Sequence, residues 1–235
     1  MKMQRIKNTA IILAAGQGKR MNSTVPKQYL LLKEKPVLFY SLDIFQRNQQ
    51  IDDIILVVGQ EQIDYCKREL VDKYGFSKVS KIIEGGKERY LSVLCGIKEA
   101  ENADYILVHD GARPFVTQEI VERTLESAIC FGTGIAGVPV KDTIKLCDEK
   151  GFVTHTPNRN FVWAIQTPQV FRADILAEAY EKLMLSNQSD ITDDAMVVER
   201  MLDRKVKLVL GDYKNIKITT PEDLETGEFY MLKML

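Results

Sequence analysis

The sequence predicts an α/β protein, with a doubly wound, mostly parallel sheet and helices on both faces. Three observations lead there. An apolar run, Ile11 to Ala15, passes directly into Gly16 and Gly18, the pattern of a buried parallel strand that feeds a tight loop. Apolar runs of strand length then alternate with stretches of helical spacing four times before Gly111. A chain of 235 residues suffices for one sizeable core, so a single domain spanning 1–235 is expected.

In chain order, Pro36 to Phe45 sets a proline at a helix N1 position ahead of apolar residues at helical spacing and reads as the first helix. Ile54 to Val58 is a strand ended by Gly59, and Glu61 to Tyr74 is a helix bounded by Gly75. Val79 to Ile83 is a short strand closed by Gly85 and Gly86. The helix Glu88 to Glu99 follows, with Leu91, Leu94, Cys95 and Ile97 expected to face inward. Tyr105 to Val108 is a strand that runs into His109, Asp110 and Gly111. Pro114 then interrupts the chain, Thr117 caps a helix through Cys130, and Thr133 to Val140 is a further strand. Ile144 to Cys147 and Phe152 to Thr154 flank a four-residue turn and form a hairpin. Its apolar content is too small to stand alone, so it is expected to lean on the domain or on a partner chain. Trp163 to Phe171 carries the sole tryptophan. Ala173 to Met184 is helical, and Thr192 caps a helix through Met201 with Asp193 and Asp194 in its first turn. Val206 to Leu210 and Ile216 to Ile218 read as strands. Pro221 opens a last helix whose Leu224, Phe229, Leu232 and Leu235 can pack on the sheet.

Composition narrows the function. With 32 basic and 33 acidic residues the formal charge is -1, which gives no reason to expect a nucleic-acid groove or an anionic membrane surface. No run reaches the roughly 18 apolar residues of a membrane span, and the first residues lead into a strand instead of a signal-peptide core, so a cytoplasmic protein is expected. Cys66, Cys95, Cys130 and Cys147 are widely spaced and the chain has two histidines. Buried free thiols are expected, and no zinc site.

Four clusters of chemically capable residues fall at strand ends or loops: Gly16/Gly18/Arg20/Lys27, Gly85/Gly86/Arg89/Ser92, Asp110/Gly111/Arg113 and Asp212/Lys217/Thr219. The first resembles a phosphate cradle, with glycines that expose backbone N–H groups beside cations. It matches neither a P-loop, since Arg20 follows Lys19, nor a dinucleotide fingerprint, since Met21 stands where a third glycine belongs. If the sheet gathers the four clusters, they form one cleft with several cations and two carboxylates, the mixture that phosphoryl or nucleotidyl transfer requires. Asp110 and Asp212 are then the candidates to hold Mg²⁺. Plainer readings stay open at each position. Asp110 could cap a turn, Arg113 could pair at the surface, Glu88 could be a first-turn acid, and Lys217 could point outward into solvent. His109, between an apolar strand and Asp110, reads as a satisfied imidazole instead of an acid or base.

The motifs AAGQGKRM, PKQYL, GGKERYLSV, HDGARPF, VPVKDTIK, QTPQVF, TDDA and NIKITTPEDL, in this order along nearly the whole chain, resemble the 2-C-methyl-D-erythritol 4-phosphate cytidylyltransferase family. The resemblance implies a Rossmann-like nucleotidyltransferase sheet of the glycosyltransferase-A type. It also implies a homodimer joined by a protruding β-arm, matching the hairpin at about 141–159. The implied reaction is transfer of CMP from CTP to methylerythritol phosphate, with Mg²⁺ and release of pyrophosphate. Residue by residue, it assigns the triphosphate to Ala14, Ala15, Gly16 and Gly18 with Arg20 and Lys27, and the cytosine to Gly85, Gly86 and Ser92. Asp110 falls by the ribose, phosphates and metal, and Arg113 and Lys217 near the methylerythritol portion. Thr167 and Thr219 are assigned to the substrate, as are Thr143 and Arg159, which the partner's arm would supply in trans. Arg20, Lys27, Asp110 and Lys217 are the implied catalytic set. The alternatives are a ribitol-5-phosphate cytidylyltransferase and a non-catalytic nucleotide-binding relative.

Overall fold

The computed structural model describes residues 5–16, 25–186 and 190–233. The chain opens with strand β1 (Asn8–Ala14), whose apolar residues are buried on both sides, and a one-turn 3-10 helix, Lys27–Tyr29. A two-stranded ribbon, β2 (Leu31–Leu32) and β3 (Lys35–Pro36), precedes helix α1 (Val37–Arg47), with Pro36 at the N-cap instead of N1. Strand β4 (Asp53–Val58) follows. The helix expected to Tyr74 is present but changes winding, from a 3-10 turn (Gln60–Gln62) through α2 (Ile63–Cys66) to a π-helical stretch (Lys67–Asp72).

Strand β5 (Val79–Glu84), helix α3 (Arg89–Glu99), strand β6 (Tyr105–Asp110), helix α4 (Gln118–Phe131) and strand β7 (Thr133–Pro139) lie close to their expected bounds. As expected, Thr117 caps α4, its side chain accepting from Ile120 N. The hairpin forms from β8 (Leu146–Cys147) and β9 (Val153–His155), antiparallel and exposed. Next come β10 (Trp163–Arg172), α5 (Ala173–Leu185), α6 (Asp194–Leu202), β11 (Leu208–Leu210) and α7 (Pro221–Lys233).

Seven of these strands make one sheet in the order β11-β7-β10-β6-β1-β4-β5. β1 runs parallel between β4 and β6, with Ile12 opposite Leu56 on one side and His109 on the other. β10 alone is reversed, antiparallel to both β6 and β7. The two-residue side-chain period then separates the core into two layers. Ala10, Ile12 and Ala14 face Leu38, Leu42, Phe45, Val121 and Leu125 on one side, while Ile11 faces Val93, Ile175, Leu176 and Tyr180 on the other. Helices therefore cover both faces, as the alternation of runs predicts.

Several expectations are corrected. In α3 the fully buried residues are Ser92, Val93 and Gly96; Leu94 and Ile97 face inward as expected and pack half-buried on the core, while Leu91 and Cys95 are half-buried without joining it. A Cβ at Gly96 would lie 2.6 Å from Ile11 Cγ2, so the helix meets β1 through its smallest side chain. Asp193, not Thr192, caps α6, accepting from Met196 N at 2.9 Å. Ile216 to Ile218 joins no sheet; it is tied instead by Ile218 N to Ala112 O at 2.8 Å. Helix α7 packs on a separate small cluster of Leu32, Val37, Phe115 and Ile218 through Leu224, leaving Phe229 and Leu232 exposed; Leu235 lies outside the described residues. All four cysteines are free, but only Cys66 is buried. No described helix is long and apolar enough to cross a membrane.

Candidate functional site

The chain reverses its direction of sheet growth at β1, with β4 on one side and β6 on the other, so the carboxyl ends of β1 and β6 flank a topological switch point. A cavity of about 650 Å³ opens there, within the roughly 300–1,000 Å³ of small-ligand clefts. Its lining includes Ala14, Ala15 and Gly16 after β1, Lys27 and Gln28, then Gly86, Arg89 and Ser92 around the start of α3, and Asp110 and Lys217. An adjoining cavity of about 280 Å³ shares Arg89, Asp110 and Lys217 and adds Arg113, Gln166, Thr167 and Gln169. Asp110 thus stands at the junction of the two.

Each of these residues is held by its local chain. Gln28 is buried and donates from Nε2 to Ala14 O at 2.5 Å and to Gly16 O at 3.1 Å, tying the loop after β1 to the turn that carries Lys27. Ser92 Oγ donates to Gly86 O and Glu88 O at 3.3 and 3.2 Å, which closes the loop before α3. A Cβ at Gly85 would fall 2.6 Å from Ala15 Cβ and 2.7 Å from Ser92 Oγ. Only glycine lets these two loops meet as one wall.

Asp110 ends β6 and lies opposite Leu13. Its backbone N donates to Thr167 Oγ1 at 3.0 Å, and that hydroxyl lies 3.1 Å from His109 Nδ1, whose Nε2 is 3.3 Å from Arg113 O. One tautomer satisfies every group: the threonine O–H donates to Nδ1, and Nε2–H donates to the carbonyl. Burial pushes the His109 pKa down to about 3, so the imidazole is neutral and structural, as expected.

Three cations surround the Asp110 carboxylate: Lys217 Nζ at 2.9 Å and Arg113 Nε at 3.6 Å from Oδ2, and Arg89 Nε at 3.3 Å from Oδ1. Burial alone would raise its pKa, but Arg89, Lys217 and Arg113 outweigh that and hold the carboxyl well below the usual range. Lys217 does not point into solvent. Asn215 Nδ2 donates to Thr167 O at 2.9 Å and Asn215 O accepts from Arg113 Nη1 at 2.8 Å, while Ile218 is pinned to Ala112, so the segment between them turns the lysine onto Asp110.

Among the sequence candidates, the structure gathers Ala14, Ala15, Gly16, Lys27, Gly86, Ser92, Asp110 and Lys217 around the larger cavity and Arg113 and Thr167 around the smaller. Gly85 packs behind the wall. Gly18 and Arg20 lie outside the described residues. Thr219 lines neither cavity; its N donates to Asp223 Oδ2 at 2.8 Å at the entry to α7. Asp212 lines neither as well. Its Oδ1 accepts from Lys214 N at 2.8 Å in a turn. Thr143 and Arg159 are exposed in the arm segment, with Arg159 Nη1 on Lys141 O at 3.2 Å, and this chain does not bring them to its own cavities.

Gln28, Gln166, Gln169 and the ring of contacts about Arg89 were not singled out by sequence reasoning as parts of the site. The available signal was amides and acids set among apolar residues in PKQYL, QTPQVF and TDDA.

No group of three or more His, Cys, Asp or Glu side chains capable of holding a metal occurs among the described residues. Mg²⁺ is commonly bound by one or two carboxylates plus substrate phosphates. The hard oxygen donors in the cavity walls are Glu88 in the larger, Asp193 in the smaller and Asp110, which is common to both.

The chain is similar to known proteins over nearly its whole length. Residues 8–233 match the model of the 2-C-methyl-D-erythritol 4-phosphate cytidylyltransferase family. A protein of that name from Lachnoclostridium phytofermentans is 52% identical over 222 residues, 94% of this chain and 95% of that one. Another from Lachnospira eligens is 48% identical over 95% of this chain and 99% of its own. The crystal structure of 4-diphosphocytidyl-2C-methyl-D-erythritol synthase from Anaerococcus prevotii superposes with a TM-score of 0.85 at 35% identity, covering 97% of this chain and 96% of that one.

Proposed function

The chain belongs to the 2-C-methyl-D-erythritol 4-phosphate cytidylyltransferase family, and on that premise we propose how its cavities carry out the reaction. The protein is an enzyme that transfers CMP from CTP to 2-C-methyl-D-erythritol 4-phosphate, releasing pyrophosphate. The larger cavity takes CTP. Its triphosphate lies against the Ala14–Gly16 backbone and Lys27, with Arg20 assigned to the same phosphates on the sequence motif, and its cytosine lies by Gly85, Gly86 and Ser92. The smaller cavity takes the polyol phosphate beside Arg113, Thr167 and Lys217.

The observation that carries this reading is the position of Asp110, shared by both cavities and ringed by Lys217, Arg89 and Arg113. Cations gathered at such a junction stabilise charge that spreads over a transferring phosphoryl group. A phosphate oxygen of the polyol phosphate attacks the α-phosphorus in line; the new P–O bond forms as the bond to the β-phosphate oxygen breaks. The attacking monoester has a second pKa of about 6 and is already ionised at neutral pH, so no general base is needed. The neutral, enclosed His109 is consistent with that. Asp110 would hold Mg²⁺ brought with CTP, and that ion would supply neutralisation of the charge that gathers on the departing pyrophosphate.

The hairpin would project from one protomer to its partner. Phe161 and Phe152 are 83% and 70% exposed in the single chain, which suits a surface that a second copy covers. In that dimer Thr143 and Arg159 of each arm would reach the phosphate monoester in the other protomer's site.

The test is pyrophosphate release with Mg²⁺ and CTP, offering methylerythritol phosphate and ribitol 5-phosphate in parallel. Release with the first alone is expected. Release with ribitol phosphate alone would overturn the assignment of the smaller cavity.

A further inference from the structure

Behind Asp110 stands a second, buried carboxylate to which the reaction as outlined assigns no part. Asp194, the first residue of α6, is fully buried. Its Oδ1 accepts from Arg89 Nη1 at 2.9 Å and from the Tyr180 hydroxyl at 2.7 Å, and its Oδ2 accepts from Arg89 Nη2 at 2.8 Å. The backbone N of Asp194 and that of Ala195 both donate to Gln169 Oε1, at 3.1 and 2.9 Å. Helix α6 is thereby fixed to β10, the strand that also carries Thr167. Burial and the neighbouring carboxylate push the Tyr180 pKa well up, so the phenol remains a donor.

The consequence is geometric. A guanidinium is a rigid planar fork, and it prefers two parallel hydrogen bonds to one carboxylate. Here both terminal nitrogens of Arg89 are taken by Asp194, and only Nε is left toward Asp110 Oδ1, at 3.3 Å. An Arg89 released from Asp194 could turn its fork onto Asp110 and claim both oxygens. Lys217 and Arg113 would then lose Oδ2, and the carboxylate would be withdrawn from the junction between the cavities.

We propose that Asp194, backed by Tyr180, is a positioning residue for the transfer step: it holds Arg89 by both terminal nitrogens and so keeps Asp110 Oδ2 for Lys217 and Arg113. The inference rests on the role given to Asp110 above. It assigns a functional reason to a charge pair that would otherwise count only as a buried ion pair, whose net effect on stability is commonly small.

Asp194→Asn keeps the shape and removes the charge; Tyr180→Phe removes a single oxygen. For each, kcat and the KM for both substrates are measured by pyrophosphate release, CTP affinity by calorimetry without the polyol phosphate, and folding by circular dichroism. The expected result for Asp194→Asn is a kcat lower by about tenfold or more, with CTP affinity changed by less than about threefold, because the lost orientation matters in the transition state. Tyr180→Phe is expected to lower kcat by about two- to fivefold in the same pattern. Folded variants that turn over like the parent, with only a lower melting temperature, would overturn the proposal. Should Asp194→Asn fail to fold, Tyr180→Phe decides alone, and an unchanged kcat there overturns it. The parent enzyme assayed alongside separates the two levels of the argument: no pyrophosphate release by the parent defeats the functional reading itself.

Discussion

At the scale of single residues, the site is a set of charges whose worth depends on being enclosed. Lys27 is almost fully buried yet lines the larger cavity. Lys27→Ala should lower kcat by roughly a hundredfold, on the order of 3 kcal/mol, at saturating CTP; wild-type turnover would remove Lys27 from the transition-state role. His109 makes a different prediction, about pH. Its folded pKa of about 3 lies below the ordinary 6.5, so below pH 6.5 the unfolded chain takes up a proton that the folded one refuses. Stability is therefore lost on acidification, at up to about 1.4 kcal/mol per pH unit. Asp110 adds to the loss below about pH 4, since its folded carboxyl also resists protonation. Urea unfolding at pH 7 and pH 5 should differ by about 2 kcal/mol from this histidine. His109→Gln should flatten that dependence whatever it does to the stability at pH 7.

At the scale of elements, β10 organises the site. It is the one strand that runs against the others, and from it Thr167 holds Asp110, Gln169 holds the start of α6, and Gln166 Nε2 donates to Asp212 O at 2.7 Å. Nothing in Trp163 to Phe171 announces a central strand, because a proline sits within it. Proline interrupts a ladder, and here the pairing with β7 shifts between Ile165 and Gln169, around Pro168. Thr167→Val should destabilise the fold by about 1–3 kcal/mol, since a buried N–H and a buried ring nitrogen both lose a partner. It should also slow turnover through Asp110. Urea titration and pyrophosphate release read the two effects separately, and a variant unchanged in both would remove Thr167 from this role. In helix α3 the apolar spacing places Leu94 and Ile97 on the core as expected, but the closest contacts with β1 and the loop wall are made by Gly96 and Ser92, which apolar periodicity does not mark.

At the scale of the whole molecule, the proposed dimer makes a prediction that a monomeric site cannot meet. If Arg159 serves the partner's site, Arg159→Ala and Lys27→Ala homodimers are each defective. A heterodimer of the two then contains one site with neither lesion. Mixing the variants under subunit exchange should restore about a quarter of parental activity, half the molecules being heterodimers with one good site each. Sites completed within one chain would show no restoration. Shortening the hairpin between Leu146 and His155 should shift the protein toward monomer in sedimentation.

Much was legible without coordinates because it depends on local pattern. The strand-to-glycine transition after Ala14, the alternation that gives a doubly wound sheet, the Thr117 cap and the enclosed His109 all follow from neighbours in sequence, and the ordered motifs sufficed to place the chain in its family. The tertiary structure decided what depends on residues far apart. Lys217 reads as solvated until Asn215 and Ile218 are pinned to Thr167 and Ala112. Asp212 reads as a loop carboxylate among the site clusters, and the structure adds that it bounds a turn through Lys214 N and lines neither cavity. Asp194 reads as a first-turn acid until Arg89, 105 residues earlier, closes on it. Periodicity records which face of an element is apolar; which charge meets which is fixed only when the sheet order brings the strand ends together.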